Sequence, residues 1–402
     1  MSEWKKYKLS EIAELSNGIN FDKSAYAPGV KLIGVADFKD RIYPDYDSLQ
    51  EVDSKVVRRG DYLEKGDIVF VRSNGNKELV GRCMMIDRDF PVTYSGFCIK
   101  LRLIDKNLFE PVYFNYLFRT RQFRKAMTGT AVGANIQNLS QARLGNCEVN
   151  IPDIETQILI ATILSRYDSL LENYQKQIKL LEEAAQRLYK EWFVDLRFPG
   201  HENIKIVDGV PEVWEKKKIN TFVNLQSGYA FKSSTFEEDG IYKIVTIKNV
   251  KDGVFDGENT SHIGQIPDKM PKHCRLKTGD ILMSLTGNVG RICMVVGDDY
   301  LLNQRVAKLE TRYPAFTYCL FRNNDMYITV NNLANGAAQQ NVSPIRIGEL
   351  KVLFANDSIM NQFENLVGTI CDKIINLYAQ IRLLTEARDR LLSKLMSGEM
   401  EV

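Results

Sequence analysis

The chain contains the same succession of motifs twice, and this internal repeat limits its possible folds more than any other feature. Similar pairs of segments are Trp4–Phe21 with Trp214–Phe231, Leu63–Val69 with Leu276–Leu282, Gly81–Cys83 with Gly290–Ile292, Pro111–Arg119 with Pro314–Arg322, and Gln177–Ala184 with Gln380–Ala387. A period of about two hundred residues indicates a duplicated domain and excludes a solenoid, whose repeats are far shorter. The sequence therefore predicts two similar modules, and their diverged surfaces suggest similar tasks on two different targets.

Composition places the chain among ordinary globular proteins. Its 402 residues are 44% hydrophobic and 26% charged, and the length allows two substantial cores. The apolar runs are far shorter than the ~20 residues that span a bilayer, and no apolar signal region follows the charged N-terminus. The seven cysteines form no C-x-x-C pair, which argues against a disulfide framework and a zinc site. We expect a cytoplasmic protein without a membrane partner or a bound metal.

The distribution of charge is more informative than the net charge of +2. Residues 111–147 include no acidic residue, and the cations among them are Arg119, Arg121, Arg124, Lys125 and Arg143. A local basic surface is what double-stranded DNA requires, because each neutralised phosphate releases a counterion. A solvated cationic helix face is the alternative interpretation.

Two segments carry a heptad pattern of apolar residues. In the first copy the positions are Leu164, Tyr167, Leu171, Tyr174, Ile178, Leu181, Ala185, Leu188 and Trp192. In the second they are Val367, Ile370, Ile374, Leu377, Ile381, Leu384, Leu391 and Leu395, with Arg388 interrupting. Spacings of three and four sustained over this length predict two long helices with coiled-coil seams.

Connectivity predicts how these helices pair. The first helix is expected to end near Arg197–Gly200, close to the start of the second module, and the second helix leaves that module near Ala355. If the seams pair within the chain, the helices must therefore run antiparallel, with one module at each end. Pairing of each seam with another chain is the competing interpretation.

Inside the modules the pattern is mixed. Short β-branched runs predict strands at 31–35, 67–72 and 96–102, with counterparts at 243–247, 280–284 and 304–309. Pro111 and Pro314 each stand where a helix is expected to begin. The predicted fold is α+β, with two similar domains joined by two long helices in an antiparallel coiled coil, related by a pseudo-twofold internal repeat. The expected boundaries are 1–152, 153–198, 199–355 and 356–402.

Motifs for catalysis are missing from the sequence. No two glycines stand two apart, so neither the dinucleotide-binding fingerprint nor the related glycine turn for S-adenosylmethionine occurs. Gly29 and Gly34 have P-loop spacing without the following Lys-Ser/Thr. No Asn/Asp-Pro-Pro-Tyr/Phe loop for gripping a flipped base occurs, because no two prolines adjoin. We interpret the chain as non-catalytic.

Polar loops at matched places in both modules are the candidates for function. Asn and Gln can bind adenine through two hydrogen bonds and Arg can bind guanine, so such loops can read base edges. The candidate DNA-binding residues are Arg72, Asn74, Asn76, Lys77, Arg82, Asn135, Gln137, Asn138 and Arg143 in the first module, and Thr286, Asn288, Arg291, Gln339, Gln340, Asn341 and Arg346 in the second. Ordinary surface turns, which use the same residue types, are the alternative.

The chain resembles the specificity subunit of type I restriction–modification enzymes over its whole length. The resemblance rests on the repeated opening Trp-x-x-x-x-Leu/Ile pattern, the Gly-Asp-Ile strands, the Asn-x-Ser loops and above all Lys190–Gly200, Lys-Glu-Trp-Phe-Val-Asp-Leu-Arg-Phe-Pro-Gly. The family implies two target-recognition domains, each of which reads one half of a bipartite DNA site.

The same resemblance implies partners and cofactors. Its long helices would dock two modification subunits, which are N6-adenine methyltransferases, and restriction subunits would join later. S-adenosylmethionine, ATP and Mg²⁺ are expected on those partners, with no cofactor on this chain. The expected partner-binding residues are Glu191, Trp192, Phe193, Asp195 and Arg197. The second copy ends Ser393–Gly398 without the Trp-Phe-Val-Asp run, which departs from the pattern.

Three other functions stay open at this stage. The chain could be the specificity subunit of another multi-subunit restriction system. It could be a self-contained modification or restriction enzyme with degraded motifs, or a coiled-coil scaffold that binds no nucleic acid.

Overall fold

The computed structural model describes residues 4–38, 41–74, 76, 79–128, 137–334 and 340–402. The chain divides into two compact units, each with segments of both long helices. Unit 1 comprises residues 1–170 and 384–402, and unit 2 comprises residues 171–383.

The first module lies in unit 1 and is α+β. Its strands are β1 (Lys5–Lys8), β2 (Ala13–Asn17), β3 (Val30–Ile33), β4 (Gln50–Val52), β5 (Ile68–Val71), β6 (Ser73–Asn74), β7 (Cys83–Met85), β8 (Val92–Tyr94), β9 (Cys98–Leu103), β10 (Gln137–Asn138) and β11 (Glu148–Ile151). Its helices are α1 (Leu9–Ile12), α2 (Pro111–Arg119), α3 (Arg121–Thr128) and α4 (Gln141–Gly145), and α5 (Ile154–Tyr189) is the first long helix.

The second module lies in unit 2 and repeats the main elements of the first. Its strands are β12 (Ile206–Val207), β13 (Val210–Pro211), β14 (Glu215–Lys218), β15 (Val223–Ser227), β16 (Tyr242–Val245), β17 (Ser261–Ile263), β18 (Ile281–Ser284), β19 (Ile292–Met294), β20 (Tyr300–Leu302), β21 (Val306–Thr311) and β22 (Lys351–Phe354). Its helices are α6 (Pro314–Arg322), α7 (Asn324–Asn332) and α8 (Pro344–Gly348), and α9 (Asp357–Ser397) is the second long helix.

The larger sheets of the two modules match strand for strand. A four-stranded antiparallel sheet has the order β2-β9-β5-β7 in one module and β15-β21-β18-β19 in the other. A three-stranded sheet has the order β4-β3-β8 or β17-β16-β20, and a separate pair joins the first and last strands, β1 with β11 or β14 with β22. The predicted duplication, the six strands and the helices that begin at Pro111 and Pro314 are confirmed.

The central strand of each four-stranded sheet is buried on both faces. In β5, Ile68 and Phe70 enter the core that α2 covers, while Val69 and Val71 enter a second core against the three-stranded sheet. Successive side chains of a strand point to opposite faces, so a continuous apolar run suits a strand between two cores. Strand β18 repeats this division in unit 2.

A glycine just after β2 permits a close approach of two backbone segments. A Cβ on Gly18 would overlap with the carbonyl oxygens of Tyr94 and Ser95, and one on Gly228 with those of Leu302 and Asn303. The repeated Gly18/Gly228 of the sequence motif thus reflects packing, because only glycine lets the two backbones meet here.

The long helices run antiparallel within each unit. In unit 1, Leu164 of α5 shares a core with Leu395 and Met396 near the end of α9. In unit 2, Trp192, just beyond α5, packs edge-to-face on Phe363 near the start of α9, with ring centroids 5.5 Å apart. Every predicted seam position is buried or half-buried. The antiparallel pairing within one chain is therefore confirmed.

The first long helix ends differently from the prediction. Regular α-helix stops at Tyr189, and a π-helical turn follows at Lys190–Val194. Leu196 has a φ of 57°, which breaks the helix before the Phe-Pro-Gly segment. The predicted end near Arg197–Gly200 was several residues too late, because neither proline nor glycine marks the position where the π turn begins.

Candidate DNA interface

Two loops that are distant in the sequence meet on the surface of the first module. Strand β6 pairs with β10, so that Asn74 lies opposite Gln137 and Ser73 opposite Asn138. The Leu139 N–H donates to the carbonyl of Arg72 at 2.8 Å. The structure thereby brings the two candidate loops of this module into one hydrogen-bonded unit.

The corresponding loops of the second module meet in the same way. Thr286 and Asn341 form an isolated antiparallel bridge, and the Thr286 hydroxyl donates to Asn341 Oδ1 at 3.0 Å. The Gly287 N–H donates to the carbonyl of Gln340 at 2.9 Å. These two loops border an open cleft of about 600 Å³, whose polar lining includes Ser227, Thr286, Gln304, Arg305, Asn341 and Ser343.

Three candidate arginines donate to backbone carbonyls. Arg72 is half-buried and its Nη1 lies 3.4 Å from the carbonyl of Gly96. Arg143 and Arg346 occupy matched positions in α4 and α8, where Arg143 is half-buried and Arg346 is exposed. They donate to the carbonyls of Ala126 and Leu333 at 2.9 and 2.8 Å. Arg143 and Arg346 each fix their short helix against the helix before it, while part of the guanidinium group stays accessible.

The other candidates surround the paired loops or fall outside the described residues. Asn76, Asn138, Asn288, Gln340 and Asn341 are exposed, Arg82 and Arg291 are half-buried, and Thr286 is buried. Lys77, Asn135 and Gln339 lie outside the described residues, and Gln137 is described only in its backbone.

One residue at the centre of each loop pair was not predicted from the sequence. Phe97 is 63% exposed, and its carbonyl accepts the N–H groups of Arg72 and Ser73 at 2.8 and 3.3 Å. Arg305 stands at the matched position of the second module, and its carbonyl accepts the Leu285 N–H at 3.0 Å. The available signal was the divergence at this position, just before strands that are otherwise alike.

The π-helical turn presents charges and buries its aromatic rings. Trp192 and Phe193 are 7% and 6% exposed. The Phe193 ring centroid lies 4.8 Å from that of Phe316 and 5.0 Å from that of Phe363. These two members of the expected docking set therefore belong to the core of unit 2, and a partner would meet mainly their charged neighbours.

Those charged neighbours form a small ion-pair network. Lys190 Nζ lies 2.7 Å from Asp195, and Arg197 lies 3.1 Å from Asp195 and 3.8 Å from Glu191. The hydrogen bond from Lys190 lowers the pKa of Asp195, and the nearby charge of Arg197 adds to this. Asp195 is consequently ionised at neutral pH and available to a cationic partner surface.

In unit 2 a buried polar network attaches the module to the long helix α5. The Tyr318 hydroxyl donates to Glu182 Oε1 at 2.5 Å, and Arg322 Nε lies 3.6 Å from the same carboxylate. Arg322 also pairs with Asp252. Burial raises the pKa of Glu182, while the Tyr318 hydrogen bond and the Arg322 charge lower it.

Unit 1 has an equivalent network with different residues. The Tyr116 hydroxyl donates to Asp168 of α5, and Arg388 of α9 lies 2.7 Å from the same carboxylate. This ion pair accounts for the polar residue that interrupts the second seam.

Within the described residues, no group of three or more His, Cys, Asp or Glu side chains is arranged to hold a metal ion. No helix in that part of the chain combines the length and apolarity that a membrane span requires.

Comparison with known proteins identifies the family. The profile of the type I restriction modification DNA specificity domain matches residues 1–183 and 211–358. The specificity subunit of type I restriction enzyme MjaIX from Methanocaldococcus jannaschii is 27% identical over 322 residues, 75% of this chain and 71% of that protein. The specificity subunit of type I restriction enzyme HindI from Haemophilus influenzae is 22% identical over 474 aligned positions that cover 100% of both proteins.

A solved structure shares the fold. The S subunit of a type I restriction–modification system from M. genitalium superposes with a TM-score of 0.63 at 17% identity, covering 98% of this chain and 96% of that chain. Two matched specificity domains account for both modules of the repeat. The chain therefore belongs to the family of type I restriction–modification DNA specificity subunits, non-catalytic chains that recognise DNA for enzymes whose active sites lie on partner subunits.

Proposed function

We propose that each module reads one half of a bipartite DNA site through its pair of joined loops. The observation that carries this proposal is that both modules join the same two loops by backbone hydrogen bonds while the side chains on those loops differ. Two modules that recognise different base sequences need the same loop arrangement with different side chains, because base edges are distinguished by their donor and acceptor patterns.

In the first module, the reading surface would combine amide and aromatic side chains. Asn74 and Asn138 supply amides that can pair with adenine through two hydrogen bonds. Phe97 supplies an exposed apolar ring that can contact a thymine methyl group or wedge between base steps. Arg72 and Arg82 lie beside these residues and can bind guanine or phosphate.

In the second module, the cleft between the loops would accept a base edge. Asn341 offers an exposed amide at its rim, and Thr286 holds that amide by its hydroxyl. Gln304 and Arg305 line the same cleft, so amide and guanidinium donors converge on one place. This arrangement favours direct readout over general attraction to phosphate.

The partners proposed are two modification subunits, which would carry N6-adenine methyltransferase activity and S-adenosylmethionine, and restriction subunits with ATP and Mg²⁺. Glu191, Asp195 and Arg197 at the π turn would meet one of them. No cofactor is proposed for this chain.

The direct test of this function is methyl transfer from radiolabelled S-adenosylmethionine. We expect the purified chain alone to transfer no methyl group, and to direct methylation to one bipartite motif when its modification partner is added. Transfer by the isolated chain above contaminant level would contradict the division of labour, and methylation without sequence preference in the complex would contradict the reading role.

A second expectation concerns the arginines of the first module. Arg72→Ala should weaken binding to the cognate half-site by about 1–3 kcal/mol if the guanidinium contacts a base edge. If Arg72 touches only phosphate, all sequences should be weakened alike and the salt slope should fall by about one unit. Titration of cognate and scrambled duplexes at several salt concentrations separates these outcomes.

Arg143→Ala provides the comparison for that experiment. Its guanidinium already fixes α4 to the carbonyl of Ala126, so loss of thermal stability should accompany any loss of affinity. Wild-type affinity and salt slope in both variants would remove these arginines from the interface.

A further inference from the structure

Unit 1 contains a second basic feature, which shares Arg82 with the proposed reading surface of the first module. A cleft of about 510 Å³ lies where the corner between α2 and α3 meets the C-terminal turns of α9. Five arginines line it: Arg82, Arg119, Arg121, Arg124 and Arg388. We infer that this arginine cleft binds a phosphate of the DNA backbone beside the half-site that the first module reads, an inference that rests on the proposed function.

The charge of the arginine cleft favours an anion. Its acidic residues within the described part of the chain are Asp168 and Asp389, and Arg388 contacts both, at 2.7 and 2.8 Å. The described lining residues thus carry five guanidinium groups and two carboxylates, a formal charge of +3. A positive cleft of this kind, with low-dielectric walls, concentrates anions more strongly than the same charges spread over a convex surface.

Arg119 is held in place with an unsatisfied donor. Its Nη2 donates to the carbonyls of Arg41 and Cys83, the latter at 3.3 Å. Its Nε is buried and has no hydrogen-bond partner. A buried donor of a charged group that has no acceptor costs free energy. An anion in the adjoining cleft would offset that cost by electrostatic attraction to the guanidinium group or by accepting a direct hydrogen bond.

The first turn of α3 adds to the same attraction. Arg121 begins this helix and Arg124 follows three residues later, so both side chains lie on one face. The helix N-terminus contributes the positive end of its dipole at the same place. Arg82 is close in sequence to the candidate loop at Arg72–Lys77, which puts the arginine cleft near the DNA that this loop would read.

The second module shows that this fold does not need the arginines. At the positions matched to Arg121, Arg124 and Lys125 it carries Asn324, Tyr327 and Ile328. The matched Arg322 is paired with Glu182 and Asp252. The matched helical corner therefore folds without arginines at the positions of Arg121 and Arg124, so neither of these two arginines is required to stabilise the corner.

The test combines charge removal in the protein with charge removal in the DNA. Arg121→Gln in the full chain should weaken binding to every duplex by roughly three- to tenfold at low salt and reduce the salt slope by about one unit, with half-site preference unchanged. Lys125→Gln on the same helix, outside the cleft, is the matched control and should change affinity less.

A duplex with a single methylphosphonate linkage locates the contact. Scanning this neutral linkage along the DNA should reveal one position flanking the first half-site where wild-type binding weakens and binding by Arg121→Gln does not weaken further. Such coupling in a double-mutant cycle indicates direct contact. Sequence-specific binding without coupling at any position would overturn the cleft inference and leave the proposed function intact, whereas absence of sequence-specific binding would overturn the proposed function itself.

A free phosphate or pyrophosphate ion is the alternative ligand for the arginine cleft, because it carries the same negatively charged oxygens as the DNA backbone. Inorganic phosphate and pyrophosphate should raise the melting temperature of wild-type chain and of Arg121→Gln equally little, because the inferred ligand is held by the rest of the duplex. Selective stabilisation of the wild type by pyrophosphate, with no coupling in the methylphosphonate cycle, would overturn the assignment to DNA.

Discussion

Phe193→Ala is expected to lower the free energy of unfolding of unit 2 by about 3–5 kcal/mol, the usual cost of removing a buried aromatic side chain. The ring lies at the centre of a cluster with Tyr189, Trp214, Phe316 and Phe363, with centroid distances of 4.8–5.5 Å. This cluster joins the end of α5 to the module helix α6 and to α9. Its truncation should therefore loosen the attachment of the second module.

Chemical denaturation followed by tryptophan fluorescence measures this effect, since Trp192 and Trp214 belong to the same core. Val194→Ala is the control, because that neighbour is 48% exposed and should cost little. If Phe193→Ala kept wild-type stability and lost only its modification partner, the ring would have the docking role that the sequence suggested.

Arg322→Met is expected to destabilise unit 2 by about 3–5 kcal/mol at neutral pH, because it leaves a buried carboxylate without its cation. The side chains of Arg322 and Glu182 are 17% and 14% exposed, so solvent can replace little of the lost interaction. Methionine keeps most of the aliphatic volume, which limits the effect of packing.

The same variant should become less destabilised as the pH falls. Burial already raises the pKa of Glu182, and Arg322 is one of the groups that lower it, so removing Arg322 should raise this pKa further. A carboxyl group with a higher pKa in the folded state binds its proton more tightly there than in the unfolded chain. The deficit should be complete above the raised folded-state pKa and shrink as the pH falls through that pKa towards the pKa of the unfolded chain.

The double variant Glu182→Gln/Arg322→Met separates charge from packing. It removes both charges and keeps an acceptor for the Tyr318 hydroxyl, so most of the lost stability should return and the pH dependence should disappear. Equal destabilisation of the single and double variants at every pH would show that the ion pair does not hold this module.

The periodic parts of the fold were predictable because hydrophobic patterns record them. The apolar run of β5 and the heptads of α5 and α9 depend on burial along one element, and both were recognised. The π turn at Lys190–Val194 was not, since a one-residue change of helical register leaves no pattern in composition. The sequence motif predicts Trp192 and Phe193 as docking residues, since a motif does not tell which side of a helix end is covered.

The candidate site was predictable in its residues and not in its assembly. Strands β6 and β10 have two residues each, too few for any periodicity, and their pairing depends on the closure of the whole module. The heptad pattern does not explain Arg388, whose ion pair with Asp168 is visible only in the structure. The exposure of the Phe97 side chain was not predictable, because a single aromatic residue in a sequence is more often buried.

We claim above all that the two modules read their half-sites independently. The most direct measurement is the methylated motif, mapped by sequencing DNA exposed to the complete modification complex in which residues 1–150 come from another member of the family. The wild-type complex is the control. We expect one half of the motif to change to that of the donor protein and the other half to stay the same. A change in both halves, or in neither with full activity retained, would contradict the claim.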